Sequence, residues 1–135
     1  MPQLLPTADA PLVRTDFSDQ SAWSQLLVVV RMPSEDGFLA NITVVDDPAF
    51  QDADPRALAG GKNVLCHAVL FVADAMTFAH NDKPILCIAP PQPQHTFRVI
   101  PSQLWSVENN LSLANMDWED FAGAVDADGI FRGFA

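Results

Sequence analysis

The chain predicts a single α/β domain built on a mixed, mainly parallel sheet of about five strands with helices packed on it. Three observations lead there. Residues 12–17, a helical periodicity from about Gln20 to Met32, and residues 38–45 follow one another as strand, helix and strand, the order of a parallel βαβ unit. Residues 64–73 form the most apolar run in the chain, and hydrophobicity without alternation marks a central strand covered on both faces. Residues 85–89 and 96–100 are two further strands, expected to pair antiparallel through the proline-rich segment between them. With 135 residues the chain fits one domain, 1–135, in which 1–11 is an irregular lead-in broken by Pro2, Pro6 and Pro11.

Each element has a local reason. Residues 12–17 favour strand and stop at Ser18 and Asp19, either of which can cap the helix that follows. In that helix Trp23, Leu26, Leu27 and Val30 share one face, although Val28, Val29 and Val30 in succession lose rotamer freedom in a helix. Pro33 and the Ser34–Gly37 turn end it. Ile42, Thr43, Val44 and Val45 are β-branched strand formers, and Asp46, Asp47 and Pro48 break the strand. Asp54, Pro55 and the Gly60–Gly61 pair mark one short helical turn. Pro90, Pro91 and Pro93 argue against regular structure after the fourth strand. Ser102 is placed to cap a helix carrying Leu104, Trp105 and Glu108 that stops at Asn109–Asn110, with residues 111–115 as an extended connector. Asp117 and Asp120 have the spacing of a capping box for a last helix, and residues 130–134 are apolar enough to pack down as a tail.

Composition limits the partners. Seventeen acidic against seven basic residues give a net charge of -10 and a pI near 4.3. Such a field repels phosphate backbones and anionic lipid, so neither nucleic acid nor membrane is expected, and a protein partner, basic in character, is. The N-terminus has no basic segment followed by an apolar core, and no run approaches a membrane span, which points to the cytoplasm. Cys66 and Cys87 lie in apolar runs and read as buried, reduced thiols.

Two groups of residues are candidates for chemistry. Asp16, Asp46, Asp47 and Asp74 fall at predicted strand ends, where an open α/β sheet binds ligands, and carboxylates there suit a hard cation such as magnesium. Capping and turn formation explain the same aspartates, and Lys62 and Lys83 lie in turns rather than in a phosphate-binding loop. Cys66, His67, His80, Cys87 and His95 lack zinc-site spacing, so no metal or other cofactor is expected, and His67 reads as a hydrogen-bonded core or strand-end residue. No nucleophile elbow, Walker loop or dinucleotide fingerprint is present in the sequence. The second group lies in residues 96–121, where polar Glu108, Asn109, Asn110 and Asn115 are interleaved with Trp105 and other large apolar residues. Helix capping accounts for these side chains in one reading; in the other, Trp105, Glu108, Asn109, Asn110 and Asn115 form a recognition edge.

The run from Trp105 to Trp118, Trp-Ser-Val-Glu-Asn-Asn-Leu-Ser-Leu-Ala-Asn-Met-Asp-Trp, resembles a bacterial family of small proteins defined by a domain of unknown function. Residues 13–19, Trp23, residues 45–48 and the ending from Asp128 to Phe134 extend the resemblance over essentially the whole chain. The resemblance implies a single-domain bacterial protein and transfers no site. Charge and missing catalytic motifs favour a non-enzymatic acidic protein-binding module, immunity- or inhibitor-like. The alternative is a magnesium-dependent phosphoryl-transfer or hydrolytic enzyme using the strand-end carboxylates.

Overall fold

The apolar run at 64–73 becomes a strand only over its last four residues. In the computed structural model, which describes residues 2–90 and 92–134, the strands are β1 (Ala10–Arg14), β2 (Ile42–Val45), β3 (Leu70–Ala73), β4 (Ile85–Ala89), β5 (Gln92–Val99) and β6 (Ile130–Phe131). They form one sheet in the order β2-β1-β3-β4-β5-β6. β1 runs parallel to both β2 and β3, and β5 parallel to β6; β3–β4 and β4–β5 are antiparallel. The sheet is therefore six-stranded where five strands were expected, and it is mixed: three of its five pairings are parallel, but the middle, around β4, is antiparallel. Chain length explains the difference: residues 74–84 between β3 and β4 hold one short helix, too little for the dozen or more residues that a parallel crossover needs.

Five helices accompany the sheet among the described residues: α1 (Gln20–Val30), α2 (Pro55–Ala59), α3 (Ala75–Ala79), α4 (Leu104–Ser112) and α5 (Trp118–Ala122). Register divides the core in two. Leu12, Phe71, Cys87 and Phe97 align across β1, β3, β4 and β5 on one face, where Trp23, Leu26, Leu104, Val107, Phe121 and Phe131 cover them. Val13, Leu70, Val72 and Ile88 face the other way, under Phe50, Leu58, Val64 and Leu4. Leu4 is buried, so the lead-in contributes to the core, and regular structure begins at Ala10, two residues before the expected strand start at residue 12. β3 has every side chain buried, as its unbroken hydrophobicity requires.

Several boundaries move for tertiary reasons. Residues 62–64 form a 3-10 turn and 65–69 continue irregularly; Val64 and Val69 still reach the core, but Leu65 and Cys66 are exposed. Cys66 is thus not the buried thiol expected, whereas Cys87 is buried and free. Residues 38–41 do not extend β2, because α4 side chains take their backbone groups. β6 turns the apolar tail into a strand, and the Asp126 carboxylate fixes the preceding turn by accepting from the amides of Asp128 (2.8 Å) and Ile130 (3.0 Å). The expected proline break survives only in part: β5 begins at Gln92 after an irregular register at Ile88/Ala89, and Pro91 lies outside the described residues.

Local signals did specify the caps at Asp19, Asp54 and Asp117, the last in a capping box with Asp120. Ser102 caps nothing; it lies in a 3-10 turn, Pro101–Gln103, that leads into α4. α4 then passes through Asn109 and Asn110 to Ser112, and residues 113–115 form its terminal turn instead of an extended connector. Ala114 closes that turn at φ 56°, a left-handed conformation that costs a Cβ-bearing residue roughly 1–2 kcal/mol. Ala114→Gly should accordingly raise the unfolding free energy by about 0.5–1 kcal/mol, after the larger chain entropy of glycine is deducted, as read from urea unfolding.

Candidate functional site

Arg14, the last residue of β1, organises the carboxyl ends of the parallel strands. It is only 3% exposed. Its Nε donates to the Asp16 carbonyl (3.1 Å), and its Nη1 donates to Gln20 Oε1 (2.9 Å) and Asp46 Oδ1 (3.3 Å). The guanidinium lies 4.3 Å from the Phe17 ring and 5.1 Å from the Trp23 ring, and Trp23 Nε1 donates to the other Asp46 oxygen at 3.1 Å. Aromatic faces and a carboxylate around a buried cation offset part of the cost of taking it out of water.

The four strand-end aspartates consequently have structural work. Asp16 accepts from the Ser18 amide and hydroxyl, and Asp47 caps the 3-10 turn Pro48–Phe50 through the Ala49 amide. Both oxygens of Asp46 are engaged by Arg14 and Trp23. Asp74 shares a capping box with Thr77 at the start of α3 and is gripped by Arg98 at 2.9 and 2.8 Å. Among the described residues no three His, Cys, Asp or Glu side chains stand close enough together to hold a metal ion.

Burial pushes the Asp74 carboxyl up, but the Arg98 hydrogen bonds and charge, with the Thr77 amide and hydroxyl, outweigh it and hold the group below its usual 3.8. A carboxyl lowered in the folded state stabilises fully above its unfolded pKa and loses that contribution as pH falls through the folded value. Asp74→Asn should cost about 2 kcal/mol near neutral pH. In urea unfolding taken from neutral to acid pH, the gap between variant and wild type should narrow below about pH 4.

α4 carries the second group. Trp105, Glu108 and Asn109 lie at i, i+3 and i+4, on the side facing residues 38–41. Trp105 stacks on Phe38 with centroids 5.5 Å apart and planes at 8°. Glu108, buried, accepts from the Asn41 amide at 2.6 Å and from Asn109 Nδ2 at 2.9 Å. Asn109 Nδ2 also donates to the Leu39 carbonyl at 2.8 Å. Asn110 bonds its own helix, donating to the Ser106 carbonyl at 2.9 Å, and Asn115 is exposed beyond the helix end. The structure thus joins Trp105, Glu108 and Asn109 in one seam and leaves Asn110 and Asn115 outside it.

The seam separates two clefts. On one side Val29, Met32, Glu35, Asp36, Gln103 and Trp105 line an open groove of about 510 Å³. Phe38, about half exposed, stacks on the Trp105 that lines it, and its chain neighbour Leu39 is about half exposed as well. The sequence reading missed Met32, Phe38 and Leu39; its available signal was Val28–Val29, apolar residues on a helix face with nothing to cover them. On the other side Asp9, Asn41, Cys66, His67, Glu108 and Ser112 line a cleft of about 320 Å³. There His67, half-buried in the turn before β3, has Nε2 3.2 Å from the Thr7 hydroxyl.

The two thiols differ in chemistry. Cys66 is exposed, whereas burial pushes the Cys87 thiol well above its usual value despite the charge of Arg98. A thiol reagent such as DTNB should modify Cys66 alone in the native protein and Cys87 only after unfolding, with Cys66→Ser abolishing the native reaction.

A six-stranded mixed sheet layered with helices defines the class, a single α/β domain. A family model described as a domain of unknown function, DUF6924, matches residues 9–134, and the chain belongs to that family. No curated protein and no solved structure matches the chain. No helix among the described residues is long and apolar enough to cross a membrane.

Proposed function

We propose that this chain is a non-enzymatic, cytoplasmic protein-binding module that presents an acid-rimmed apolar groove to a basic protein partner, in the manner of an immunity or inhibitor protein. The carrying observation is a concentration of exposed apolar surface. Of ten large hydrophobic residues exposed among the described residues, five (Val28, Val29, Met32, Phe38 and Leu39) fall within residues 28–39; Val29 and Met32 line the groove with Trp105, on which Phe38 stacks. Scattered exposed hydrophobics are ordinary, but a contiguous patch holding aromatics marks an interaction surface. Glu35 and Asp36 rim the groove, against Arg31 at the end of α1, and the whole chain carries a charge of -10, so a basic partner is attracted and an acidic one repelled. The exposed free Cys66 suits a reducing compartment. The magnesium-enzyme alternative has less support, because Asp16, Asp46, Asp47 and Asp74 are each bonded within the fold.

A photo-crosslinking residue placed at Met32, with one at exposed Met76 on α3 as the control, tests the reading in the native cell. Crosslinking from position 32 should trap a protein of high pI, and Phe38→Ala should lower the yield at least about tenfold. Added salt should weaken capture. Equal yields from both positions, an acidic product, or indifference to Phe38→Ala would each refute the groove as the interface.

A further inference from the structure

The cleft across the seam holds a group that the fold leaves half used. Glu108 is 3% exposed, and its Oε1 takes both of its hydrogen bonds, from the Asn41 amide and from Asn109 Nδ2. Oε2 accepts from no described residue. Among the described residues no sealed side-chain nitrogen or oxygen lacks a partner, so Oε2 keeps some contact with solvent, and Glu108 is one of the residues that line the cleft. A carboxylate withdrawn from bulk water with one oxygen unfilled favours a charged donor. The walls supply none: Asp9 adds a second carboxylate, Asn41 and Ser112 add polar groups, and neither lysine nor arginine lines the cleft. His67, the remaining titratable ring, stands beside the Thr7 hydroxyl.

We propose that this cleft is a guanidinium-binding site, filled by an arginine side chain of the basic partner; the source of the arginine rests on the functional reading above, while the chemistry of the cleft does not. Arginine fits better than a metal ion because the protein offers no three-ligand cluster of His, Cys, Asp or Glu among the described residues. It fits better than lysine because a planar fork with five N–H donors can reach Glu108 Oε2 and acceptors on separate walls, where an ammonium is a compact point charge.

The probe is N-acetyl-arginine-N-methylamide, titrated into the full chain and followed by ¹⁵N–¹H correlation spectra, with the citrulline analogue as a neutral isostere. The arginine compound should shift the amides of Asn41, Ala68 and Asn109, and the citrulline compound should leave them in place. Glu108→Gln keeps an oxygen for the Asn41 amide, and Asp9→Asn alters an exposed residue, so both variants should stay folded; each should weaken binding at least about tenfold. Equal shifts with citrulline, no effect of Glu108→Gln, or shifts spread over Glu35, Asp36 and the other surface acids would overturn the proposal. The two readings fail separately. Loss of arginine binding with crosslinking from position 32 intact removes the cleft and leaves the groove; arginine binding without that crosslink upholds the cleft and removes the groove.

Discussion

The 2.6 Å hydrogen bond from the Asn41 amide to Glu108 determines where the sheet ends and where the exposed surface begins. Residues 38–41 are sequence neighbours of β2 and would lengthen it if their amides and carbonyls found a strand. They find α4 instead: Glu108 takes the Asn41 amide, and Asn109 takes the Leu39 carbonyl. Backbone groups near a core must be paired, and once side chains pair them no ladder is needed. Phe38 and Leu39 are then left facing outward, where Phe38 lies flat on Trp105. A bond to a charged acceptor contributes roughly 1.5–3 kcal/mol, enough to fix a four-residue segment against an alternative edge pairing.

At the opposite end of the strands a buried cation has the organising role. Arg14 ends β1 inside the fold, and Asp46, Gln20, the Asp16 carbonyl and two aromatic faces gather around it. Asp74 and Arg98 repeat the solution at the end of β3. These pairs account for why aspartates cluster where an α/β enzyme would bind its ligand. The carboxyl ends of parallel strands bring helix N-termini together, and caps and counter-ions for nearby arginines are needed there whether or not a ligand is.

What could be read from the sequence was whatever a few neighbouring residues decide. The 3.6-residue stripe of Trp23, Leu26 and Val30, the Asp54–Pro55 start and the Asp117–Asp120 box were all legible, as was the antiparallel pairing of β4 with β5. Misread segments depend on distant partners. Val64 and Val69 are as apolar as strand residues, yet they reach the core from a 3-10 turn and from irregular chain, and Cys66 between them is left in solvent. Asn109 and Asn110 looked like a helix stop because asparagine competes for backbone; here Leu39 and Glu108 occupy one amide and the Ser106 carbonyl takes the other, so the helix continues. β6 is two residues long and owes its pairing to β5, which nothing within the tail announces. Of the residues at the seam and the groove, Trp105 and Glu108 stood out in the sequence, but Phe38 and Met32 did not.

The two clefts share one helix, and its geometry fixes how far apart they are. Trp105 borders the groove and Ser112 the cleft, seven residues along α4, which at about 1.5 Å per residue separates them by about 10 Å along the axis. Glu108, the carboxylate proposed to take the arginine, stands three residues from Trp105, about 4.5 Å along the axis, so on the proposed reading a partner helix would carry its apolar residue and its arginine about one turn apart. The seam between the clefts brings no base of its own, since Trp105, Glu108 and Asn109 face residues 38–41 and none of them is cationic. On the proposed function, one short element of a partner that carries an apolar and a cationic residue would reach both the groove and the cleft, which makes them the two ends of a single contact.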